Sequence, residues 1–279
     1  MNISFLDFWP DFDSRNNFFI HIINQIKTNV NITRPELADV IIYSCFGNDH
    51  KKYNCKKIFF TGENIRPNFN DCNYSLSFDF SEYDGKNIRI PLWYLYIDWF
   101  EVKSYRNPEW LIPLSYLDKQ NEFTLKNKSK FCSSVFSKHN EFRKKAVNTI
   151  SEYIDVDCYG KIHKNSLPEG EKNKMDVISS YRFSICFENS IYPGYFTEKI
   201  LHAKIAGCIP IYYSDKTFEV DFNKNCCINL IDFENFDHLL EEIKRVDSDP
   251  QIYNKKINEP LFSIPPTLDK IKNKLDKIL

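Results

Sequence analysis

The stretch CFENSIYPGYFTEKILHAKIAGCIPIYYS, Cys186 to Ser214, decides the fold. It completes an apolar run, Tyr181 to Phe187, that reads as a strand. Thr197 to Ala206 then carries helical spacing, and Ile209 to Tyr213 is again strand-like. The product is a βαβ unit, whose strands are parallel. At its centre Gly194 permits a close backbone turn and Thr197 is suited to cap the helix, which puts Glu198 and Lys199 in the first turn. Two readings stay open there. Free N–H groups and the positive dipole end favour a phosphate, with Lys199 adding a full charge and Glu198 accepting sugar hydroxyls. Alternatively, Glu198 only complements the dipole and Lys199 is solvated. Glu188 and Asn189 are similarly open between turn capping and a ligand, and Tyr195 between a ligand and the core.

Outward from this unit the alternation continues in both directions. Toward the N-terminus, Ile3 to Phe8 reads as a strand, and Phe18, Ile22, Ile23 and Ile26 recur at helical spacing. Ala38 to Phe46 is nearly continuous apolar sequence, as expected for a strand buried on both faces of a parallel sheet. Lys57 to Phe60 ends abruptly at Thr61, Gly62, Glu63 and Asn64, which places Glu63 in a loop at the carboxyl end of a strand. Open α/β sheets hold their ligands at such ends. From Ser104 to Lys130 the pattern weakens, with Pro108 and Pro113 interrupting any long helix. It then restarts as a strand over Lys130 to Phe136, a helix over Glu141 to Tyr153 and a strand over Val156 to Tyr159. Helices at Phe236 to Val246 and around Leu268, Ile271, Leu275 and Ile278 close the chain. The divisions expected are a first domain over 1–125, a second over 126–262 and an amphipathic basic helix over 263–279. That helix is expected to dock on the body, with a peripheral membrane contact as the alternative.

Composition narrows the function classes. The 279 residues accommodate two domains of ordinary size. Thirty-seven basic against 38 acidic residues leave a net charge of −1, so no global field attracts nucleic acid or an anionic membrane. Any polyanion site is local. The nine cysteines are scattered without metal-ligand spacing, and Cys226 and Cys227 are adjacent, which suits two faces of a strand better than a mutual bridge. A reducing cytosol is the expected compartment. Aromatic residues make up 16% of the chain. Most of the run PLWYLYIDWF from Pro91 is expected in the core, whereas Trp9, in a loop after the first strand, offers a face for sugar stacking.

The run from Phe187 to Ser214 resembles the donor-binding signature of glycosyltransferase family 10, the α-1,3-fucosyltransferases. There a Phe-Glu-Asn strand end, a Tyr-x-Thr-Glu-Lys turn and an Ile-Pro-Ile-Tyr strand follow at this spacing. FFTGENIRPNFNDCNYSLSFD, Phe59 to Asp79, is similar to the bacterial branch, and DFNKNCCINLIDFENFDHLLEEIK fits as well, so the resemblance covers Ile3 to Leu261. It implies an α/β fold of glycosyltransferase-B architecture, two Rossmann-like domains facing a cleft. GDP-β-L-fucose is implied on the second domain, and an oligosaccharide acceptor containing β-galactosyl-GlcNAc mainly on the first.

An inverting displacement is implied, with no metal or other cofactor required. Glu63 matches the family's general base. The free pKa of a Glu, about 4.3, makes it a weak base, so partial burial is expected to raise it. Asn189, Tyr195, Glu198 and Lys199 match donor-contact positions, Lys199 toward the diphosphate and the others toward hydroxyls and pocket shape. Where the family carries a diphosphate-contacting Arg, GKIHKNSL places Lys164, with Lys161 and His163 as substitutes. Lys lacks the bidentate fork of Arg. Near Ser214, where the family usually has Gly, the turn Tyr213-Ser214-Asp215 departs from the pattern. Trp9 is the acceptor-side candidate. Alternatives are a related transferase with another acceptor, linkage or donor sugar, and a catalytically silent nucleotide-sugar-binding protein.

Overall fold

The computed structural model describes residues 1–118, 120–136, 140–160, 165, 167 and 170–279. It divides into two compact units. One comprises Met1–Pro113, Gly194–Phe196 and Pro266–Leu279, the other Leu114–Pro193 and Thr197–Pro265. The chain leaves the first unit at Pro113, earlier than the expected 125/126 division, and the C-terminal helix belongs to that unit.

In the first unit β1 (Asn2–Leu6), β2 (Asn31–Ile32), β3 (Val40–Tyr43), β4 (Lys56–Phe60), β5 (Tyr74–Ser77) and β6 (Asn87–Arg89) form a sheet in the order β2-β1-β3-β4-β5-β6. Every pairing is parallel. The apolar run around Val40 explains why both faces are covered. Val40 and Ile42 point into the main core with Ile3, Ile58 and Phe60, while Ile41 and Tyr43 point into a second cluster with Phe59 and Cys72. Helix α1 (Phe18–Asn24) lays Phe18, Phe19, Ile22 and Ile23 on the main core, and Asn17 caps it by accepting from Ile20 N at 2.9 Å. A small parallel ribbon, β7 (Ile97–Asp98) with β8 (Ile112–Pro113), completes the strands of this unit.

The second unit repeats the plan. After a short helix, α2 (Ser115–Asp118), strands β9 (Lys130–Val135), β10 (Val156–Tyr159), β11 (Tyr181–Ile185), β12 (Ile209–Tyr212) and β13 (Ile228–Asn229) lie in the order β10-β9-β11-β12-β13, all parallel. Phe183, Ile185, Ile209, Ile211 and Ile228 form the core with Ala146 and Ile150 of α3 (Glu141–Ser151). Helices α4 (Glu171–Ile178) and α5 (Lys199–Ile205) follow, and then α6 (Phe236–Ser248), which adds Phe236, Leu239, Ile243 and Val246 to that core. Helix α7 (Pro250–Asn258) precedes the return to the first unit. Full burial of each such side chain stabilises by about 1.5–3 kcal/mol.

In each unit the strand order reverses beside the first strand, between β1 and β3 and between β9 and β11. Crevices at such reversals, outside the carboxyl ends, are where doubly wound sheets bind ligands. Helix α8 (Asp269–Ile278) buries Ile271, Leu275 and Ile278 in the first unit's core. Lys56 Nζ donates to Ile278 O at 2.9 Å, and Lys27 and Lys274 pair with Asp276 and Glu82. The apolar face of this helix is therefore packed on the first unit, as the docking expectation has it. Among the described residues no helix is long and apolar enough to cross a membrane. Cys226 closes the 3₁₀ turn Lys224–Cys226 and Cys227 follows it, so neither lies on a strand face as expected; all nine cysteines are free.

Candidate functional site

At the carboxyl end of β11, Glu188 is 4% exposed and organises the turn that leads into α5. Its Oε1 accepts from Thr197 N at 2.7 Å and from the Tyr212 hydroxyl at 2.6 Å. Its Oε2 accepts from Thr197 Oγ1 at 2.8 Å and from Lys199 Nζ at 3.2 Å. Four donors thus share one buried carboxylate. Thr197 does not cap α5 as expected, because Glu188 takes both its amide and its hydroxyl; Glu198 occupies the cap position without a side-chain bond.

Lys199 Nζ also donates to Thr197 Oγ1 at 2.8 Å and lies 3.8 Å from Glu198 Oε1. Burial works against its charge, but Glu188 and Glu198 outweigh it and raise the ammonium above its usual range. For Glu198, burial favours the neutral acid, yet Lys199, His202 and Lys174 hold the carboxyl down to about 2. His202 is 2% exposed, and burial, reinforced by Lys174, lowers it to about 3. Lys174 Nζ lies 3.1 Å from His202 Nδ1. Burial lowers Lys174 as well, with Glu198 opposing the shift, and as the donor to the neutral imidazole's Nδ1 it leaves the ring proton on Nε2. The result is an ionised carboxylate beside two cationic groups, a setting suited to charged and hydroxyl-rich ligands.

Arg143 was not singled out by the sequence reading. Asn140 caps α3, accepting from Phe142 N at 2.9 Å and Arg143 N at 3.2 Å, and so sets Arg143 in the first helical turn. It is 4% exposed, with its guanidinium over the Phe136 ring, and Nη2 donates to Phe187 O at 2.7 Å and Asn189 Oδ1 at 2.6 Å. This is the reversal between β9 and β11. A cation in a first turn opposes the helix dipole. That conflict is the signal that could have found it: Asn-x-x-Arg opening a helix just after a strand. Lys164, expected to contact the diphosphate, lies outside the described residues, as do Lys161 and His163.

Asn189 is exposed and accepts from Arg143, whose charge also acts on Lys199. Ser214, at the departing turn, is 1% exposed and accepts from Asn229 Nδ2 at 3.1 Å. Tyr195 belongs, with Gly194 and Phe196, to the first unit. It is 3% exposed with its ring edge-on to Phe78 at 5.0 Å. Gly194 has φ +82°, and a Cβ there would stand 2.5 Å from Phe78 O, so both conformation and space require glycine.

Glu63 and Trp9 meet in the first unit. They line a pocket of about 170 Å³ with Phe46, Leu92, Leu95 and Tyr96, closed by Asn107 and Pro108. Thr61 shapes the Glu63 loop: its hydroxyl accepts from Glu63 N and donates to Glu63 O, both at 3.0 Å. Glu63 is exposed, so the partial burial expected of it is absent from the protein alone. Trp9 is half-buried, its Nε1 donating to Asn107 O at 3.1 Å and its ring edge-on to Phe46 and Phe60. Tyr96 and Leu92 come from the aromatic run expected in the core. Trp93, at 1% exposure, obeys that expectation, while Tyr96 turns to the pocket.

Comparison with known proteins agrees with both halves. A model of the alpha-(1,3)-fucosyltransferase FucT N-terminal domain matches residues 3–96, and one of the glycosyltransferase family 10 (fucosyltransferase) C-terminal region matches residues 125–258. The chain is 29% identical to alpha-(1,3)-fucosyltransferase FucT of Helicobacter pylori, over 91% of this chain and 58% of that protein. It is 34% identical to putative fucosyltransferase R654 of Acanthamoeba polyphaga mimivirus, over 54% of this chain and 27% of that one. The chain therefore spans little more than half the length of the former and about a quarter of the latter. A crystal structure of alpha1,3-fucosyltransferase with GDP-fucose superposes with a TM-score of 0.77 at 26% identity, over 99% of this chain and 89% of that one. The two parallel α/β units are thus those of the glycosyltransferase-B class of fucosyltransferase structures.

Proposed function

Because the chain belongs to glycosyltransferase family 10, the fucosyltransferases, we propose that it transfers L-fucose from GDP-β-L-fucose to the 3-OH of GlcNAc in an N-acetyllactosamine-type acceptor. The transfer inverts the anomeric centre. The observation that carries the reading is the pair of cations, Lys199 and Arg143, at the carboxyl ends of the second unit's strands. Departure of GDP develops negative charge on the diphosphate, and preorganised cations there lower the barrier without reorganising. Lys199 is held in place by Glu188 and Thr197, so its ammonium meets the diphosphate already oriented. Arg143 supplies the second charge, and its planar fork suits phosphate oxygens.

Glu198, ionised well below neutral pH, accepts hydroxyls of ribose or fucose, and Asn189 and Tyr195 shape the donor pocket. In this reading the charge that the diphosphate needs comes from side chains. On the first unit Glu63 takes the proton of the acceptor hydroxyl as that oxygen attacks the anomeric carbon. A bound sugar over Glu63 would exclude water from the reacting hydroxyl and bring that proton within reach of the carboxylate. Trp9 and Tyr96 give the acceptor flat faces on which to lie.

The test is incubation with GDP-fucose and a panel of acceptors, including β-galactosyl-GlcNAc, its isomer with O4 free, and a β-galactoside lacking GlcNAc. GDP release and an α-1,3 product with the first are expected. GDP release with none of them would reject the activity, and product on O4 alone would reject the linkage.

A further inference from the structure

At the reversal of the first unit, Asp7 collects groups from the loop that follows β3. Its Oδ1 accepts from Asp49 N at 3.0 Å, and its Oδ2 accepts from His50 N at 3.0 Å and from His50 Nδ1 at 2.6 Å. Its carbonyl accepts from Phe46 N at 3.0 Å. Both side chains of the pair are buried, and the His50 ring lies flat on Tyr43 with centroids 3.7 Å apart. Burial disfavours the Asp7 charge, but these donors outweigh it and keep the carboxyl below its ordinary range. Gly47 completes the fit, since a Cβ there would lie 2.3 Å from Asp7 Oδ1. Asp7 itself sits in the left-handed region at φ 58°, an uncommon state for a residue other than glycine.

What this hub holds is an aromatic wall. Trp9 follows Asp7 by two residues, and Phe46 hangs from the Asp7 carbonyl while remaining 50% exposed. The two rings meet edge-on at 6.3 Å, and both line the pocket that contains Glu63. An exposed Phe in a loop would otherwise be free to swing, and a loosely placed stacking surface would misalign an acceptor.

We propose that Asp7 and His50 are positioning residues for the acceptor: they fix Trp9 and Phe46 as the wall against which the acceptor sugar lies, so that its hydroxyl meets Glu63. The assignment rests on the fucosyl-transfer reading, and neither residue touches the sugar. A purely structural pair would change stability, or both substrates alike; a wall-setting pair acts on the acceptor alone.

The experiment is steady-state kinetics on Asp7→Asn, His50→Gln and Gly47→Ala, with GDP-fucose and N-acetyllactosamine, and calorimetry of GDP. Gly47→Ala disturbs the hub without deleting any polar group, and His50→Gln keeps an N–H donor but loses the stack on Tyr43. The acceptor KM is expected to rise about tenfold or more in each, the scale of misplaced substrate, while the donor KM and GDP affinity hold. An unchanged acceptor KM in the folded variants overturns the proposal, as does an equal rise for both substrates. Wild-type turnover on the same substrates tests the transfer reading separately. Should it be absent, binding of N-acetyllactosamine followed by saturation-transfer NMR replaces KM: weaker binding in the variants supports the hub, and equal or no binding overturns it.

Discussion

The carboxyl-end rims of the two units use one device for opposite purposes. Each has a buried carboxylate beside the strand-order reversal that gathers several donors, Asp7 in the first unit and Glu188 in the second. Asp7 is satisfied by backbone amides and an imidazole, and what it presents is aromatic surface. Glu188 is satisfied by a threonine, a tyrosine and a lysine, and what it presents is positive charge. The same strand order therefore does not choose the ligand. The partners of a single carboxylate do, and under the proposed function they divide the work into a stacking wall with a base and a charged seat for a diphosphate.

The largest way to break this comparison is Glu188→Ala. It strips four donors of their acceptor and leaves Lys199 without its closest counter-charge. Loss of a partner from a buried ion pair costs about 3–5 kcal/mol, and urea denaturation should show it, with the amides of β11, β12 and α5 losing protection against hydrogen exchange while those of β1 and β3 keep theirs. Equal loss in both units would deny that Glu188 organises only its own rim.

A smaller effect separates the units by pH. His202, held near 3 when folded against about 6.5 when unfolded, refuses a proton that the unfolded chain accepts. Its contribution is fully present above pH about 6.5 and falls as the pH drops toward 3. At pH 4.5 the loss is about 2–3 kcal/mol. Glu198, whose folded pKa is also depressed, adds a further loss only below about pH 4.3. His202→Asn should flatten the stability profile between pH 7 and 4.5 in urea titrations; an unaltered slope would contradict the neutral, buried imidazole. Arg143→Lys should weaken GDP binding by about tenfold through loss of the fork, and calorimetry showing full affinity would remove Arg143 from the diphosphate seat.

Much of this was legible in the sequence, for reasons that differ by residue. Apolar runs such as that around Val40 and the spacing of the Cys186 to Ser214 unit predict parallel strands, because burial on both faces leaves no polar alternation to misread. Glu63 could be placed at a strand end since Thr61 and Gly62 stop β4 abruptly. Glu198 and Lys199 were visible as a charged turn. The hold that Glu188 has on Thr197 was not, because a side chain reaching back over nine positions competes with local capping and leaves no local pattern. Arg143 was hidden behind an Asn cap that looks like any helix start. Asp7 and His50 lie 43 positions apart and meet only once β1 and β3 pair. Tyr96 sits in a 3₁₀ turn, Leu92–Tyr96, whose period sends neighbouring aromatics in different directions, so core and pocket residues alternate within one run.

The division of labour is tested most directly by Glu63→Gln, assayed for fucosyl transfer to N-acetyllactosamine and titrated with GDP on the same preparation. The account predicts unchanged GDP affinity and turnover lower by roughly two to four powers of ten, the scale of a lost general base. Turnover equal to that of the wild type would contradict it.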